Sequence, residues 1–242
     1  MIISTFAIPL PSRRAFLALA AAGTLSCTSA CGLLGEDDRP PRGGTLKVNL
    51  SSTGGQPGSG RTGTLVVYFS LPETTNITNL TKDEENSLVV VDREPLGNAQ
   101  YLARLIAEAT GSEQFRLETV QPYPLPHDVL VEYAQQEQYS NARPDLIATP
   151  ELTEYDTIFL GYPIWLSDLP MAVYAFLEGS DFSGKTIVPF STYSSTGLLD
   201  TPEAIAGAAP GAAVASNALA VSCDDMAQAP ETVRTWLTEL GL

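Results

Sequence analysis

The chain has 242 residues, of which 44% are hydrophobic and 17% charged, so it carries enough apolar side chains to build a folded core. Its 13 Lys and Arg residues stand against 28 Asp and Glu residues, a formal net charge of -15 at pH 7. This acidity argues against a nucleic-acid or anionic-membrane surface, which needs clustered basic side chains. A single His, His127, and three Cys exclude a His-rich zinc site and a disulfide framework.

The N-terminal segment has the pattern of an export signal. Arg13 and Arg14 are the only charged residues before Glu36, and the apolar run 15–25 follows them. This run is too short to span a bilayer, and the string SRRAFL resembles a twin-arginine export signal. An ordinary signal that carries two arginines is the alternative. Without these two arginines, 11 Lys and Arg residues remain against 28 Asp and Glu residues, a formal net charge of -17.

Small residues precede Cys31, as they do in a bacterial lipobox. The predicted signal segment, residues 1–31, thus ends in the lipobox, and cleavage before Cys31 would leave the lipidated Cys31 as the new N-terminus. Cys27 is a competing position with a poorer fit. We therefore expect an extracytoplasmic, membrane-anchored lipoprotein, and a secreted soluble protein is the alternative.

The rest of the chain divides into a linker and one domain. Residues 32–63 are rich in Gly, Pro and Ser and show no helical period, which predicts a flexible linker. Residues 64–242 have the length of a single domain. Apolar or alternating segments predict strands at 64–69, 115–120, 157–161, 186–190 and within 212–221.

Helical patterns alternate with these strands. A helix is predicted over Asn98–Thr110, with Asn98 as its N-cap and Gly111 after its end. Further helices are predicted near Leu130, over Met171–Leu177, after an Asp200–Glu203 capping box, and over the apolar face that includes Trp236. The alternation predicts an open, doubly wound α/β sheet, in which Pro189 belongs at an edge or bulge.

In such a sheet, ligands bind beyond the carboxyl ends of the strands. The loops at those ends are Ser70 with Gly97–Gln100, Gly161–Trp165, and Ser191–Gly197. All three are rich in hydroxyls, amides, Gly or aromatic rings, and none contains Lys, Arg or His. These loops are therefore where a functional site is expected.

The segments VVYFS, GNAQYLARLIAEATG, EYDTIFLGYPIWLSDLPMAVYAFLE and DFSGKTIVPFSTYSSTG resemble flavodoxin-like proteins over essentially the whole predicted domain. The resemblance implies a three-layer sandwich with helices on both faces of a five-stranded parallel sheet, in the order 2-1-3-4-5, and FMN as the cofactor. The cofactor-binding residues that it implies are Ser70, Gly97, Asn98, Ala99, Gln100, Tyr162, Pro163, Ile164, Trp165, Ser191, Thr192, Tyr193, Ser194, Ser195 and Gly197. No catalytic side chain and no metal ligand is expected.

Three departures from the family pattern stand out. An insertion, residues 71–96, splits the phosphate loop and contains a predicted strand, Leu88–Val91, and an acidic turn, Asp83–Glu85. Ala99 stands where Thr is common, which removes one hydroxyl donor. Tyr193 and Ser194 replace the His-Gly pair of many relatives.

The implied function is electron transfer, or FMN-dependent reduction of a small acceptor such as a quinone by an NAD(P)H:acceptor oxidoreductase. The alternative is a non-enzymatic binding domain on a membrane tether that has lost FMN. The redox partner is left open. His127 is expected to be a solvated residue at a helix start rather than a proton donor, and Cys223 a buried small side chain.

Overall fold

The structure is a computed structural model that describes residues 63–242. The predicted export signal, Cys31 and the predicted linker, apart from its last residue Gly63, lie outside the described residues. None of the helices within 63–242 combines the length and the apolar character that crossing a membrane requires.

A parallel sheet forms the centre of the domain. In chain order the elements are β1 (Gly63–Tyr68), α1 (Lys82–Ser87), β2 (Leu88–Val91), β3 (Glu94–Gly97), α2 (Asn98–Thr110), β4 (Glu113–Arg116), α3 (His127–Ser140), β5 (Tyr155–Pro163), α4 (Met171–Gly179), β6 (Thr186–Tyr193), α5 (Thr201–Ala208), β7 (Ala213–Val214), β8 (Leu219–Ser222), a 3-10 helix (Cys223–Gln228) and α6 (Ala229–Glu239). The strand order is β4-β1-β5-β6, and both β7 and β8 pair with the far side of β6. Because β7 and β8 together take the fifth position, the predicted α/β class and the order 2-1-3-4-5 are confirmed.

Pro189 lies in the interior strand β6, where a residue without an amide hydrogen is uncommon. The carbonyl of Ile187 accepts a hydrogen bond from the amide of Ala215, so Pro189, two residues on, faces the same side. On that side the pairing with β7 ends at Ile187 and the pairing with β8 begins at Phe190. The prediction of an edge or bulge is therefore wrong: the missing donor falls in the break between β7 and β8.

Strand β4 begins two residues before the predicted strand 115–120 and ends four residues before its end. It ends at Arg116, which pairs with Tyr68, the last residue of β1. Beyond Arg116 the chain has no further strand pairing with β1 among the described residues. The rest of the predicted strand 115–120 forms only a single antiparallel bridge, between Thr119 and Leu146.

Helices cover both faces of the sheet. Leu65 and Val67 of β1 face a core lined by α3, α4 and α5, whereas Val66 faces a second core lined by α2 and α6. Trp236 of α6 is buried in the second core, edge-on to Phe159 with 5.6 Å between ring centroids. This confirms the predicted three layers and the assignment of Trp236 to the core.

The insertion is an ordered unit rather than a long loop. Helix α1 leads into an antiparallel hairpin of β2 and β3, which confirms the predicted strand Leu88–Val91. Asp92 and Arg93 at the tip both have positive φ angles, 51° and 70°, as a two-residue hairpin turn requires.

A turn prediction and a helix-cap prediction are wrong. The expected acidic turn 83–85 is part of α1, because Thr81 and Glu84 form a capping box in which each side chain accepts from the other residue's amide. The expected Asp200–Glu203 box does not form, since the Asp200 side chain makes no cap hydrogen bond at the start of α5.

Candidate functional site

The carboxyl ends of three neighbouring strands border one cavity. Ser70 follows β1, Ile164 and Trp165 follow β5, and Ser194 follows β6. The cavity has a volume of about 280 Å³ and lies where open parallel sheets bind ligands. The N-terminus of α2 closes one end of it, and a side of α3 closes the other.

The polar end of the cavity is the start of α2. Its N-cap is Gly97 rather than the predicted Asn98, so no side chain caps the first amides of this 13-residue helix. Ser70, Asn98 and Ala99 line this end. Uncapped amides and the positive end of the helix dipole form an anion site without any basic side chain.

Asn98 holds the insertion against this helix end. Its Nδ2 donates to the carbonyl of Asn86 over 2.8 Å, and both residues line the cavity. Its Oδ1 is buried and has no hydrogen-bond partner within residues 63–242. A buried acceptor without a partner costs about 1–3 kcal/mol, so a ligand hydroxyl bound there would be favoured.

Gly97 lets the two halves of the split loop meet. A Cβ atom at this position would overlap Ser70 Oγ and would stand 3.3 Å from Pro72 Cδ. The close approach to Ser70 therefore requires glycine at this position. The backbone conformation does not require it, because any residue can adopt its φ of -61°. Two residues that the whole insertion separates in the sequence, Ser70 and Gly97, are thus in direct contact.

The other end of the cavity is apolar. Leu130, Val131 and Ala134 of α3 line it together with Ile164 and Trp165. The Trp165 ring is held edge-on by two further aromatic rings, Phe69 and Tyr123, each with 5.3 Å between centroids. Such contacts fix the ring without covering it on all sides, and they suit a binding surface for a flat ligand.

Trp165 also begins a tight two-residue turn. Its amide and carbonyl pair with the carbonyl and amide of Asp168 over 3.0 and 2.9 Å. The two central residues, Leu166 and Ser167, have φ angles of 50° and 66°, a left-handed conformation that is costly outside glycine. Gln138 of α3 donates to the Leu166 carbonyl over 3.4 Å and ties the turn to the cavity wall.

Two carboxylates and the single histidine form the Glu73–His127–Asp83 cluster, which lines the cavity. His127 Nδ1 lies 3.0 Å from Glu73 Oε2, and its Nε2 lies 4.0 Å from Asp83 Oδ1. Burial raises the pKa of Glu73 above its ordinary value, and its hydrogen bond with His127 only partly offsets this. Partial burial opposes the charged form of His127, but the Glu73 hydrogen bond and the charges of Glu73, Asp83 and Asp128 raise its pKa overall.

The structure places nine of the fifteen predicted cofactor-binding residues around the cavity: Ser70, Asn98, Ala99, Pro163, Ile164, Trp165, Thr192, Tyr193 and Ser194. The other six lie outside its lining: Gly97, Gln100, Tyr162, Ser191, Ser195 and Gly197. Tyr162 is buried with its hydroxyl against Thr201 Oγ1 at 2.9 Å. Ser191 Oγ is buried without a partner among the described residues.

Eleven lining residues were missed: Leu71, Glu73, Asp83, Asn86, Ser87, His127, Leu130, Val131, Ala134, Leu166 and Cys223. Helix α3 follows β4, a strand of the same parallel sheet, so topology alone indicates that its start lies at the same edge. The insertion residues carry no comparable signal. Cys223, expected to be buried, is half-buried in the cavity wall, and burial raises the pKa of its thiol.

A comparison with protein-family models matches residues 90–239 to the flavodoxin family. The chain belongs to this family. The match begins inside the insertion, which agrees with the departure of residues 71–96 from the family's usual phosphate loop. A comparison with curated proteins found no match.

Solved structures share the fold of this flavodoxin domain. A candidate flavoprotein from Bacteroides uniformis ATCC 8492 is 26% identical, with a TM-score of 0.54, 73% of this chain covered and 98% of the other. One from Bacteroides eggerthii DSM 20697 is 22% identical, with the same TM-score and coverages of 74% and 98%. A flavoprotein from Lactobacillus acidophilus NCFM, crystallised in complex with FMN, is 15% identical, with a TM-score of 0.48 and coverages of 73% and 99%.

The residues of the cavity fit the cofactor of the flavodoxin family. FMN combines a phosphate, a chain of hydroxyls and a flat ring system. The uncapped start of α2, the buried acceptor of Asn98 and the apolar end with Trp165 match these three parts in one cavity. Family membership and this match support FMN as the cofactor.

Proposed function

We propose that this flavodoxin domain binds FMN in the cavity and transfers electrons through it. One observation carries the proposal: a single cavity joins the uncapped N-terminus of a 13-residue helix to an apolar end that bears Trp165. The first suits a phosphate and the second suits an aromatic ring system.

Each wall of the cavity has a defined task in this proposal. The amides of Asn98, Ala99 and Gln100 and the Ser70 hydroxyl hold the phosphate. The Trp165 ring and the residues before it flank the ring system, and residues 192–194 close its other side. Bound FMN supplies electron transfer, and the protein supplies binding, orientation and the electrostatic environment.

Two versions of this function differ in the electron acceptor. The protein is either a carrier between redox proteins or an NAD(P)H-dependent oxidoreductase that reduces a small acceptor such as a quinone. The exposure of the lining favours the second, because His127 lines the cavity with a side chain that is 47% exposed and is therefore accessible to a small acceptor.

A second candidate function is a binding domain without FMN. It is favoured by the charge of the lining, since Glu73 and Asp83 would repel a phosphate and none of the described lining residues is Lys or Arg. Ala99 also lacks the hydroxyl that Thr would contribute at this position.

We further propose that the protein works outside the cytoplasm, anchored to a membrane through lipidated Cys31. The support comes from the sequence: the SRRAFL string, the apolar run after it and the small residues before Cys31. A secreted soluble protein is the alternative.

Flavin binding separates the two candidate functions. The purified full chain is expected to be yellow, or to take up added FMN, and to bind riboflavin more weakly because riboflavin lacks the phosphate. Absorbance and calorimetric titration measure both affinities. A colourless protein that does not bind added FMN would refute the redox function and support the binding domain.

A further inference from the structure

The Glu73–His127–Asp83 cluster joins two parts of the chain at the cavity. Glu73 and Asp83 come from the insertion, and His127 is the first residue of α3. Both Glu73 carboxylate oxygens lie within 3.1 Å of His127 Nδ1. The Glu73 carboxylate accepts a hydrogen bond from Nδ1–H, which fixes the imidazole ring and leaves Nε2 as the nitrogen that gains and loses a proton.

Glu73 is a fixed partner rather than a mobile surface charge. Its side chain is only 11% exposed, and its backbone amide donates to Ser87 Oγ over 2.9 Å. The Ser87 hydroxyl in turn donates to the Glu84 carbonyl in α1. The C-terminal end of α1 therefore holds the backbone at Glu73, whose carboxylate contacts His127.

The Nε2 atom of His127 is free to exchange a proton. Within the part of the chain that the structure describes, it makes no hydrogen bond, and Asp83 at 4.0 Å is an ion-pair neighbour only. Asp83 and Asp128 are the other charged groups that act on the ring besides Glu73. His127 is also the only histidine in the chain, so no other imidazole can serve this cavity near neutral pH.

We propose that His127, held by Glu73, is the proton donor to an electron acceptor that enters this cavity and takes up protons with its electrons, such as a quinone. This rests on the proposed function, in which FMN occupies the cavity. Glu73 is a positioning residue, since it acts through His127.

The step balances in electrons and protons. Bound FMN, once reduced, would supply the quinone with two electrons and one proton as a hydride and would itself be oxidised. One quinone oxygen then carries a negative charge, and it takes the proton of the His127 imidazolium to complete the hydroquinone. His127 is left neutral and regains its proton from solvent at the cavity mouth. Electrons reach the flavin from a reduced nicotinamide or a partner protein.

The test compares an acceptor that needs protons with one that does not. The full chain is loaded with FMN, reduced with dithionite without oxygen, and mixed in a stopped-flow instrument with benzoquinone or with ferrocenium. General acids of this kind contribute about 10²–10⁴-fold. His127→Gln should therefore slow benzoquinone reduction by about tenfold or more and leave ferrocenium reduction within about twofold of the wild type.

Glu132→Gln is the matched control, because Glu132 is an exposed residue of the same helix and does not line the cavity. It should change neither rate. If His127→Gln slows both acceptors equally, or leaves benzoquinone reduction unchanged, the proposal is wrong. Failure of the protein to bind FMN would overturn the proposed function and the acid role with it.

A second measurement does not depend on bound flavin. Because the chain has one histidine, an NMR titration of the FMN-free protein follows His127 alone, in a sample without a histidine tag. Glu73→Gln should lower the pKa of His127, and in the loaded protein the pH at which benzoquinone reduction is lost should fall with it. An unchanged titration in Glu73→Gln would show that Glu73 does not hold the ring.

Discussion

The substitution Gly97→Ala tests whether the two halves of the split loop touch as the structure shows. The added Cβ would overlap Ser70 Oγ, with Ser70 Cβ and Pro72 Cδ both at 3.3 Å. The backbone itself tolerates alanine, since the φ of Gly97 is -61°. Any effect must therefore come from steric overlap, and not from backbone strain.

The expected loss follows from the surroundings of Ser70, which is 4% exposed and has little room to turn away. Adding a methyl group to a well-packed site costs about 1–3 kcal/mol. For a domain of this size each kcal/mol lowers the melting temperature by about 2–4 °C. Because the overlap displaces the start of α2, FMN affinity should also fall, by about tenfold for a loss of 1.4 kcal/mol.

The assay is thermal unfolding of the full chain with and without FMN, together with FMN titration. Gly179→Ala is the control: Gly179 lies at the end of α4, and a Cβ there would meet no atom within 4 Å. Ser70→Ala should restore part of the stability of Gly97→Ala, because it removes the overlapping oxygen. Wild-type stability and FMN affinity in Gly97→Ala would refute the packing of these two residues.

Three further predictions concern other parts of the molecule. Trp165→Ala should weaken FMN binding by about 1 kcal/mol or more, measured by titration, and unchanged affinity would mean that another ring stacks on the flavin. Burial raises the pKa of Glu137, and the hydrogen bond from Tyr123 offsets this only in part, so ionisation of Glu137 destabilises the fold as pH rises above the ordinary glutamate range. The free energy of unfolding of Glu137→Gln, measured with denaturant and taken relative to that of the wild type, should therefore be larger at pH 7 than at pH 4. The same difference between the two proteins at both pH values would contradict this. Cys31→Ala should release the protein from membranes in a fractionation assay, and continued membrane retention would argue against the lipid anchor.

The sheet could be predicted because its signals are local. Continuous apolar runs identify β1, β5 and β6, and the spacing of apolar residues between Asn98 and Gly111 predicts the bounds of α2 correctly. The split of the last strand into β7 and β8 was not predicted, since the residue that faces the break, Pro189, lies in a different strand.

The site could be predicted in part. Residues at the ends of β1, β5 and β6 follow from the topology, and most of those named line the cavity. The Glu73–His127–Asp83 cluster could not be found in this way, because Glu73 and His127 are 54 positions apart and meet only through folding of the insertion.

The contact between Gly97 and Ser70 makes assembly of the proposed phosphate site a loop-closure problem. The 26 residues of the insertion must close before the two halves can meet. Each doubling of a loop costs about 0.6 kcal/mol, so three to four doublings beyond a short phosphate loop cost about 2 kcal/mol. The β2–β3 hairpin and the α1 cap are local structures that can form early and offset this entropy. Closure of this loop therefore depends on an element that does not belong to the central sheet.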